Sequence, residues 1–380
     1  MFSPEILLPG PTPIPEAVQK AMLTSMSDHR GALFAPVVER VQRRLAEMLQ
    51  LEEEGAVAVI PASGTGALEA AVQNFFAPGE RNLSVSTGAF GDRFAKIAER
   101  HGLLVDSLSF PWGQPFSPCD VMDQLQNNFY AGILVTHNET STGVLNPVKE
   151  LAQLLSAIPP ETRPLYIVDS ISGVPSVPML MKDWGVDVVL AASQKGFMCP
   201  PGLAIVAVGG NARKLSQKVS GRGYYFDLTP YFHGQLPYTP SVSLWYGLDA
   251  ALALLAEEGI DARYARHRTM AQMAAAFASA VGWTPIVASE YASPTVTAIR
   301  LEPKQTPEKL RQQVFQAGLQ IAGGMGPWHQ DTIRIGHVGA VSPAMLYSGL
   351  GIIAHFAAHA ESGLNAAWEV WHNRITFEEA

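Results

Sequence analysis

The chain has 380 residues, 47% of them hydrophobic and 16% charged, and a formal net charge of −8. This is ample for a large core, too long for one simple domain, and poor in the charge that keeps chains disordered. No lysine- or arginine-rich block stands out, which argues against nucleic acid and anionic membranes as partners.

The two cysteines, Cys119 and Cys199, have no paired spacing. A disulfide framework, a zinc ribbon and an iron–sulfur site are therefore disfavoured, and a reducing cytoplasm fits. Residues 1–10 lack a basic region and are broken by prolines, unlike a signal peptide. No apolar run reaches the ~18 residues of a membrane span. Residues 375–380 carry no peroxisomal or retention tripeptide.

Leu8-Pro-Gly-Pro-Thr-Pro-Ile-Pro15 has four prolines, which remove donors and fix φ, so it reads as an extended arm. Gly10 lets backbone come close to something, or the segment is a plain N-terminal arm. A helix is expected after Pro15, then a polar loop at Ser27–Gly31. Pro36 opens an amphipathic helix to about Leu49, with Val37, Val41, Leu45 and Met48 on one face.

Strands and helices then alternate. Strands are expected at Ala56–Ile60, Leu83–Ser86, Leu103–Leu108, Ile133–Thr136, Leu165–Val168, Val186–Ala192 and Leu203–Val208. Helices are expected at Ala67–Phe75, Asp92–His101 and from Pro147 to about Ile158. Ala62–Gly66 reads as a tight loop and Gly88–Gly91 as another. This alternation predicts an α/β domain with a mostly parallel, doubly wound sheet.

After Ser241 the character changes. Leu244 to about Glu257 and Asp261 to about Val281 read as long helices, Thr295–Leu301 and Thr332–His337 as strands. Thr306-Pro-Glu and Ser342-Pro343 are helix starts, with a hydroxyl N-cap before proline. The expected division is an arm at 1–15, a large domain at 16–255 and a smaller α+β domain at 256–380.

Ligands of doubly wound sheets bind outside the carboxyl ends of the strands. After the first strand comes Ser63-Gly-Thr-Gly66 at a helix N-terminus. Its backbone N–H groups, the hydroxyls of Ser63 and Thr65, and the helix dipole make an anion site suited to phosphate, or simply a connector. It is neither a nucleotide P-loop nor the dinucleotide fingerprint, because the Gly-Lys-Ser/Thr ending is missing and Glu69 replaces the third glycine. After the next strand, Phe90 stands among Gly88, Ala89 and Gly91, placed to lie flat on an aromatic ligand or to fill a core. Asn138, Thr140 and Thr142 follow another strand.

Asp169 ends a further strand, where a carboxylate needs a partner: a pyridinium N–H or a backbone turn. Lys195 follows the apolar run Val186–Ala192. Loss of solvation lowers a lysine's pKa and makes it a usable nucleophile, as a Schiff-base lysine requires; the alternative is a solvated strand cap. Together these groups form the set needed to hold pyridoxal 5′-phosphate: phosphate on the helix N-terminus, ring under Phe90, Asp169 at the ring nitrogen, Lys195 on the aldehyde.

These motifs resemble class V aminotransferases of pyridoxal-phosphate fold type I, in the alanine–glyoxylate and serine–glyoxylate branch. Leu8-Pro-Gly-Pro11 resembles the family's substrate arm, Ser63–Glu69 its phosphate turn and Gly88–Arg93 its ring-stacking loop. His137–Gly143, Val168-Asp-Ser170 and Ser193-Gln-Lys-Gly196 followed by Pro200-Pro-Gly202 are similar to its cofactor motifs. The resemblance implies Ser63, Gly64, Thr65, Phe90, Thr140, Asp169, Gln194, Lys195 and Thr239 as cofactor contacts. It implies Lys195 as the catalytic residue, and Gly10 and Arg334 as substrate contacts. Taken alone, Arg334 is an arginine among isoleucines that could equally form a surface ion pair.

The Tyr238-Thr-Pro240 segment resembles one that reaches the neighbouring subunit's phosphate, which implies a homodimer with a shared site. Leu236 stands where some members have tyrosine, and Phe90 where some have tryptophan. The expected reaction is transamination between alanine or serine and a 2-oxo acid, glyoxylate.

His29-Arg30 and Met198-Cys-Pro-Pro201 resemble cyanobacterial sequences labelled soluble hydrogenase small subunit, so an accessory subunit of a redox complex is the rival. Two cysteines without paired spacing cannot supply the thiolates of a nickel–iron site. Cys199 near Lys195 raises a cysteine desulfurase, which needs a mobile, reactive cysteine. His355 and His359 have metal-ligand spacing on an expected helix, but no glutamate follows His355, and no metal site is expected.

Overall fold

The computed structural model describes residues 4–378. The strands are β1 (Glu5–Leu7), β2 (Ala56–Ile60), β3 (Arg81–Ser86), β4 (Leu104–Ser109), β5 (Gly132–Thr136), β6 (Asn138–Glu139), β7 (Val144–Leu145), β8 (Leu165–Asp169), β9 (Val188–Ala192), β10 (Ala204–Val208), β11 (Thr284–Pro285), β12 (Val296–Arg300), β13 (Leu319–Gly323) and β14 (Thr332–Gly336). The helices are α1 (Glu16–Met22), α2 (Ala35–Met48), α3 (Gly64–Phe75), α4 (Ala89–Arg100), α5 (Pro118–Asn127), α6 (Val148–Leu155), α7 (Met181–Trp184), α8 (Gly210–Ser216), α9 (Thr229–Phe232), α10 (Val242–Glu258), α11 (Ile260–Ala280), α12 (Pro307–Gln316), α13 (Pro343–Ala354) and α14 (Ala360–Glu378).

Seven strands form one sheet in the order β2-β10-β9-β8-β5-β3-β4. Only β10 runs against its neighbours. The central strands β5, β8, β9 and β10 are buried along their whole length, as continuous apolar runs must be when helices cover both faces. The chain passes from β3 out to β4 and returns on the other side of β3 to β5, so the strand order reverses between β3 and β5. A crevice at such a reversal is where α/β sheets take ligands.

A second sheet, β1-β13-β14-β12-β11, packs against α11, α12, α13 and α14 around Ile299, Ile321, Ile333, Phe277 and Leu350. Thr306 and Ser342 accept hydrogen bonds from Lys309 N and Met345 N, capping α12 and α13 as the hydroxyl–proline signal predicts. Ser117 caps α5 in the same way, from the same signal.

Four details differ from the sequence reading. The arm is not merely extended: β1 pairs in parallel with β13, Glu5 opposite Leu319, so its first part belongs to the second sheet. Residues 1–3 of the arm lie outside the described residues. Helix α3 starts at Gly64 and α4 at Ala89, so Phe90 sits in the first turn of a helix rather than on a loop. His355 and His359 do not share a helix, because α13 ends at Ala354 and His359 adopts φ +53° just before α14.

A polar knot joins the two sheets. Arg263 on α11 is fully buried; it donates to Glu258 Oε2 at 2.7 Å and to Gly196 O, next to Lys195. Arg266 donates to Glu258 Oε1 at 2.7 Å and to Gly339 O at 3.2 Å, beyond β14. One carboxylate therefore holds two guanidinium groups that grip opposite sides of the crevice.

Candidate active site

The carboxyl ends of β2, β3, β5, β8 and β9 share one edge of the large sheet. Lys195 follows β9 by three residues and its side chain is half-buried. Its Nζ donates to Pro9 O of the arm. Burial, then the Arg334 and Arg93 charges, push the amine down to about 8, against the pull of Asp169. Gly10 lies so close that an added Cβ would stand 2.3 Å from Lys195 Cδ, and its φ is +115°, so only glycine fits there.

Asp169 is the last residue of β8 and is 3% exposed. Burial, helped by Glu139, raises its carboxyl to about 7, while the Ile171 N–H, Lys195 and Arg93 act in the opposite sense. Its Oδ1 accepts from Ile171 N at 2.9 Å; among the described residues Oδ2 has no hydrogen bond. The turn after Asp169 meets the start of α3, where a Cβ on Gly64 would stand 2.9 Å from Ile171 Cδ1. Ser63 and Thr65 are exposed there, and the Ser63 side chain makes no capping bond, so the N-terminus of α3 keeps its donors free for an anion.

Thr140 donates to Ser172 Oγ at 2.7 Å, and Asn138 Nδ2 donates to the same oxygen at 2.8 Å. Asn138 Oδ1 and Gln194 Oε1 are buried without a protein partner. Arg334 projects from β14 and donates through Nε to Gly323 O and through a terminal nitrogen to Thr140 O, both at 2.9 Å. Burial lowers it to about 10, so it stays charged at neutral pH. Its strand neighbours are Ala298 and Ala322, whose small side chains leave room for the guanidinium.

Phe90 is half-buried, and the Arg93 guanidinium covers one ring face at 4.8 Å from the centroid. Lys195, Gly10, Asp169, Thr140 and Arg334 are thus linked by contact or field. Ser63, Gly64 and Thr65 join them through the Asp169 turn. Thr239 is exposed and makes no hydrogen bond to this group among the described residues. Its neighbour Tyr238 stacks on Tyr225 at 4.6 Å, and the Tyr225 hydroxyl donates to Pro61 O at 3.3 Å, just before Ser63.

Two groups were missed from sequence. Ser172 gathers Asn138 and Thr140. Glu139, fully buried, accepts from Phe90 N and Gly91 N at 3.1 Å each and from Ser141 N at 3.0 Å. The available signal was an acidic residue three positions past a buried strand, beside short hydroxyl side chains.

The profile of the family described as Aminotransferase class-V matches residues 10–325. The chain belongs to this family and is an aminotransferase. It is 33% identical over 344 residues to the protein named soluble hydrogenase, small subunit, of Synechococcus sp. strain PCC 6716, covering 88% of each chain. It is 33% identical over 375 residues to serine–glyoxylate aminotransferase of Hyphomicrobium methylovorum, covering 96% of this chain and 91% of the relative. Its fold matches ureidoglycine–glyoxylate aminotransferase of Bacillus subtilis with a TM-score of 0.91 at 24% identity, covering 98% and 99% of the two chains.

The hydrogenase name belongs to that relative. Among the described residues here, no group of three or more His, Cys, Asp or Glu is placed to hold a metal ion. Cys119 is exposed, while burial pushes the buried Cys199 thiol up to about 12, away from the thiolate a desulfurase nucleophile needs. No described helix is long and apolar enough to cross a membrane.

Proposed function

We propose that this aminotransferase uses pyridoxal 5′-phosphate to move the amino group of alanine or serine to glyoxylate. The observation that carries the reading is Lys195: a shielded amine pushed down to about 8, at one strand end, in the fields of Asp169 and Arg334. The residues fit the cofactor. Buried acceptors without partners, Gln194 Oε1 and Asn138 Oδ1, sit at the same edge as the uncapped α3 N-terminus and the free Asp169 Oδ2.

When bound, the cofactor supplies an aldehyde that captures amines and a protonated ring that withdraws electrons from the substrate's α-carbon. Ser63, Gly64 and Thr65 hold its phosphate, with Thr239 reaching the phosphate of a partner subunit. The Asp169 carboxylate accepts the ring N–H and keeps that nitrogen protonated. Phe90 would hold the ring, and Thr140 and Gln194 would serve its oxygen. Lys195 Nζ would anchor the cofactor, and as a free amine it would take the α-proton of the amino donor and return it as general acid. Arg334 clamps the substrate carboxylate, beside the backbone that Gly10 brings near.

The glyoxylate part rests on the serine–glyoxylate relative. A cytoplasmic homodimer belongs to the same proposal, supported by the exposed apolar side chains of Leu23, Met26, Leu33 and Tyr224. So does the division at 1–15, 16–255 and 256–380, supported by α10 packing with the seven-stranded sheet and α11 with the five-stranded one.

The test is an absorbance panel. Purified protein with pyridoxal phosphate should show a visible band that alanine or serine bleaches to the pyridoxamine form, and that glyoxylate restores. A protein with no visible band, unmoved by any amino acid, sinks the reading.

A further inference from the structure

Helix α4 begins behind Gly88, which has no side chain to cap its free N–H groups. The cap comes from far along the chain. Phe90 N and Gly91 N donate to Glu139 Oε2, each at 3.1 Å, and Ala89 N donates to Ser141 Oγ at 3.0 Å. Ser141 in turn donates to Glu139 Oε1 through its backbone N–H at 3.0 Å and through its hydroxyl. The approach is tight, since a Cβ on Gly88 would stand 2.7 Å from Glu139 Cγ and Cδ.

Three backbone N–H groups and the Ser141 hydroxyl face the two carboxylate oxygens. Glu139 is 0% exposed and has no ion pair among the described residues. The positive end of α4 and these donors favour its charged form. Burial outweighs them and holds its carboxyl above the usual carboxylate range, while the four hydrogen bonds pull it down. The same charge raises the pKa of Asp169 and that of Arg334.

Phe90 is one of the two α4 residues whose backbone N–H donates directly to the carboxylate. Arg93 covers one face of its ring. We propose that Glu139 is the positioning residue of the Phe90 ring: its carboxylate fixes the first turn of α4, and with it the plane that Phe90 presents to a flat cofactor. The inference rests on the proposed cofactor. It also predicts that glutamine is no substitute, because either amide orientation turns an NH₂ group toward N–H donors.

The experiment compares wild type, Glu139→Gln, Phe90→Ala and the double variant, by equilibrium binding of pyridoxal phosphate and by visible circular dichroism of the bound cofactor. Glu139→Gln should weaken binding about tenfold or more and lose most of the visible dichroic band, as backbone N–H groups are left facing an amide NH₂. Phe90→Ala should do the same, and the double variant should be no worse than the stronger single one, because both act on one ring.

Full affinity and an unchanged band in Glu139→Gln, or fully additive losses in the double variant, would overturn the inference while leaving the cofactor in place. Wild-type protein that binds no pyridoxal phosphate overturns both readings. If Glu139→Gln does not fold, Ser141→Ala decides: a smaller loss of the same band supports the inference, and an unchanged band overturns it.

Discussion

The seven-stranded sheet delivers its functional groups from strand ends, whereas the five-stranded sheet delivers Arg334 from the middle of β14. Asp169 and Lys195 follow strands that are buried throughout, so their spacing is set by sheet geometry. Arg334 reaches the same pocket only because the two lobes lie as they do. Its bond to Thr140 O and the Glu258 knot are what hold that relation. The difference separates two jobs. In the proposed function the large sheet would set the cofactor chemistry, and the small one would adjust which substrate is gripped.

Three changes would break or sharpen this division. The largest effect is expected from Lys195→Ala, which should cost about 10⁴-fold or more in transamination and abolish the covalent visible band, measured by single-turnover absorbance. A variant that kept the band would remove Lys195 from the pocket's chemistry. Next, Arg334→Ala should raise KM for the amino donor about 100-fold, as loss of a shielded charge pair does, while leaving pyridoxal phosphate bound. Loss of the cofactor instead would mean that the small sheet shares the first job.

The smallest effect is a pH shift. The rate of pyridoxal phosphate uptake by ligand-free protein should rise with pH and level off above about 8, because the neutral Lys195 amine is the reacting form. Arg334 helps to lower that value, so in Arg334→Ala the midpoint should move upward. An unmoved midpoint would show that the small sheet exerts no field on Lys195.

Much of the fold was legible because parallel strands buried on both faces leave continuous apolar runs, and Val186–Ala192 or Leu165–Val168 could hardly be read otherwise. The direction of β10 was not legible, since Leu203–Val208 has the same composition as its parallel neighbours. The starts of α3 and α4 were read late, because Gly64, Gly66, Gly88 and Gly91 suggest turns locally. Helix α4 begins there because distant groups, Glu139 and Ser141, satisfy its first N–H groups, whereas α3 begins with its donors uncapped.

The site residues at strand ends could be listed from spacing. Glu139 could not, because its partners Phe90 and Gly91 lie 49 and 48 positions away. The joining of β1 to the second sheet was equally hidden, since pairing with Leu319 leaves no local trace in Glu5–Leu7.

The position of β1 also bears on the order in which the protein is made. Its partner β13 is translated more than 300 residues later, and Thr12 bonds Val338, 326 positions on. All seven strands of the large sheet have been synthesised once Val208 emerges, so the edge bearing Asp169 and Lys195 can form early. The Pro9–Gly10 cover has no sheet to join until β13 and β14 exist. Such long-range closure is slow and comes last. A chain interrupted before residue 319 would carry Lys195 without the Pro9 carbonyl that its amine meets in the finished fold.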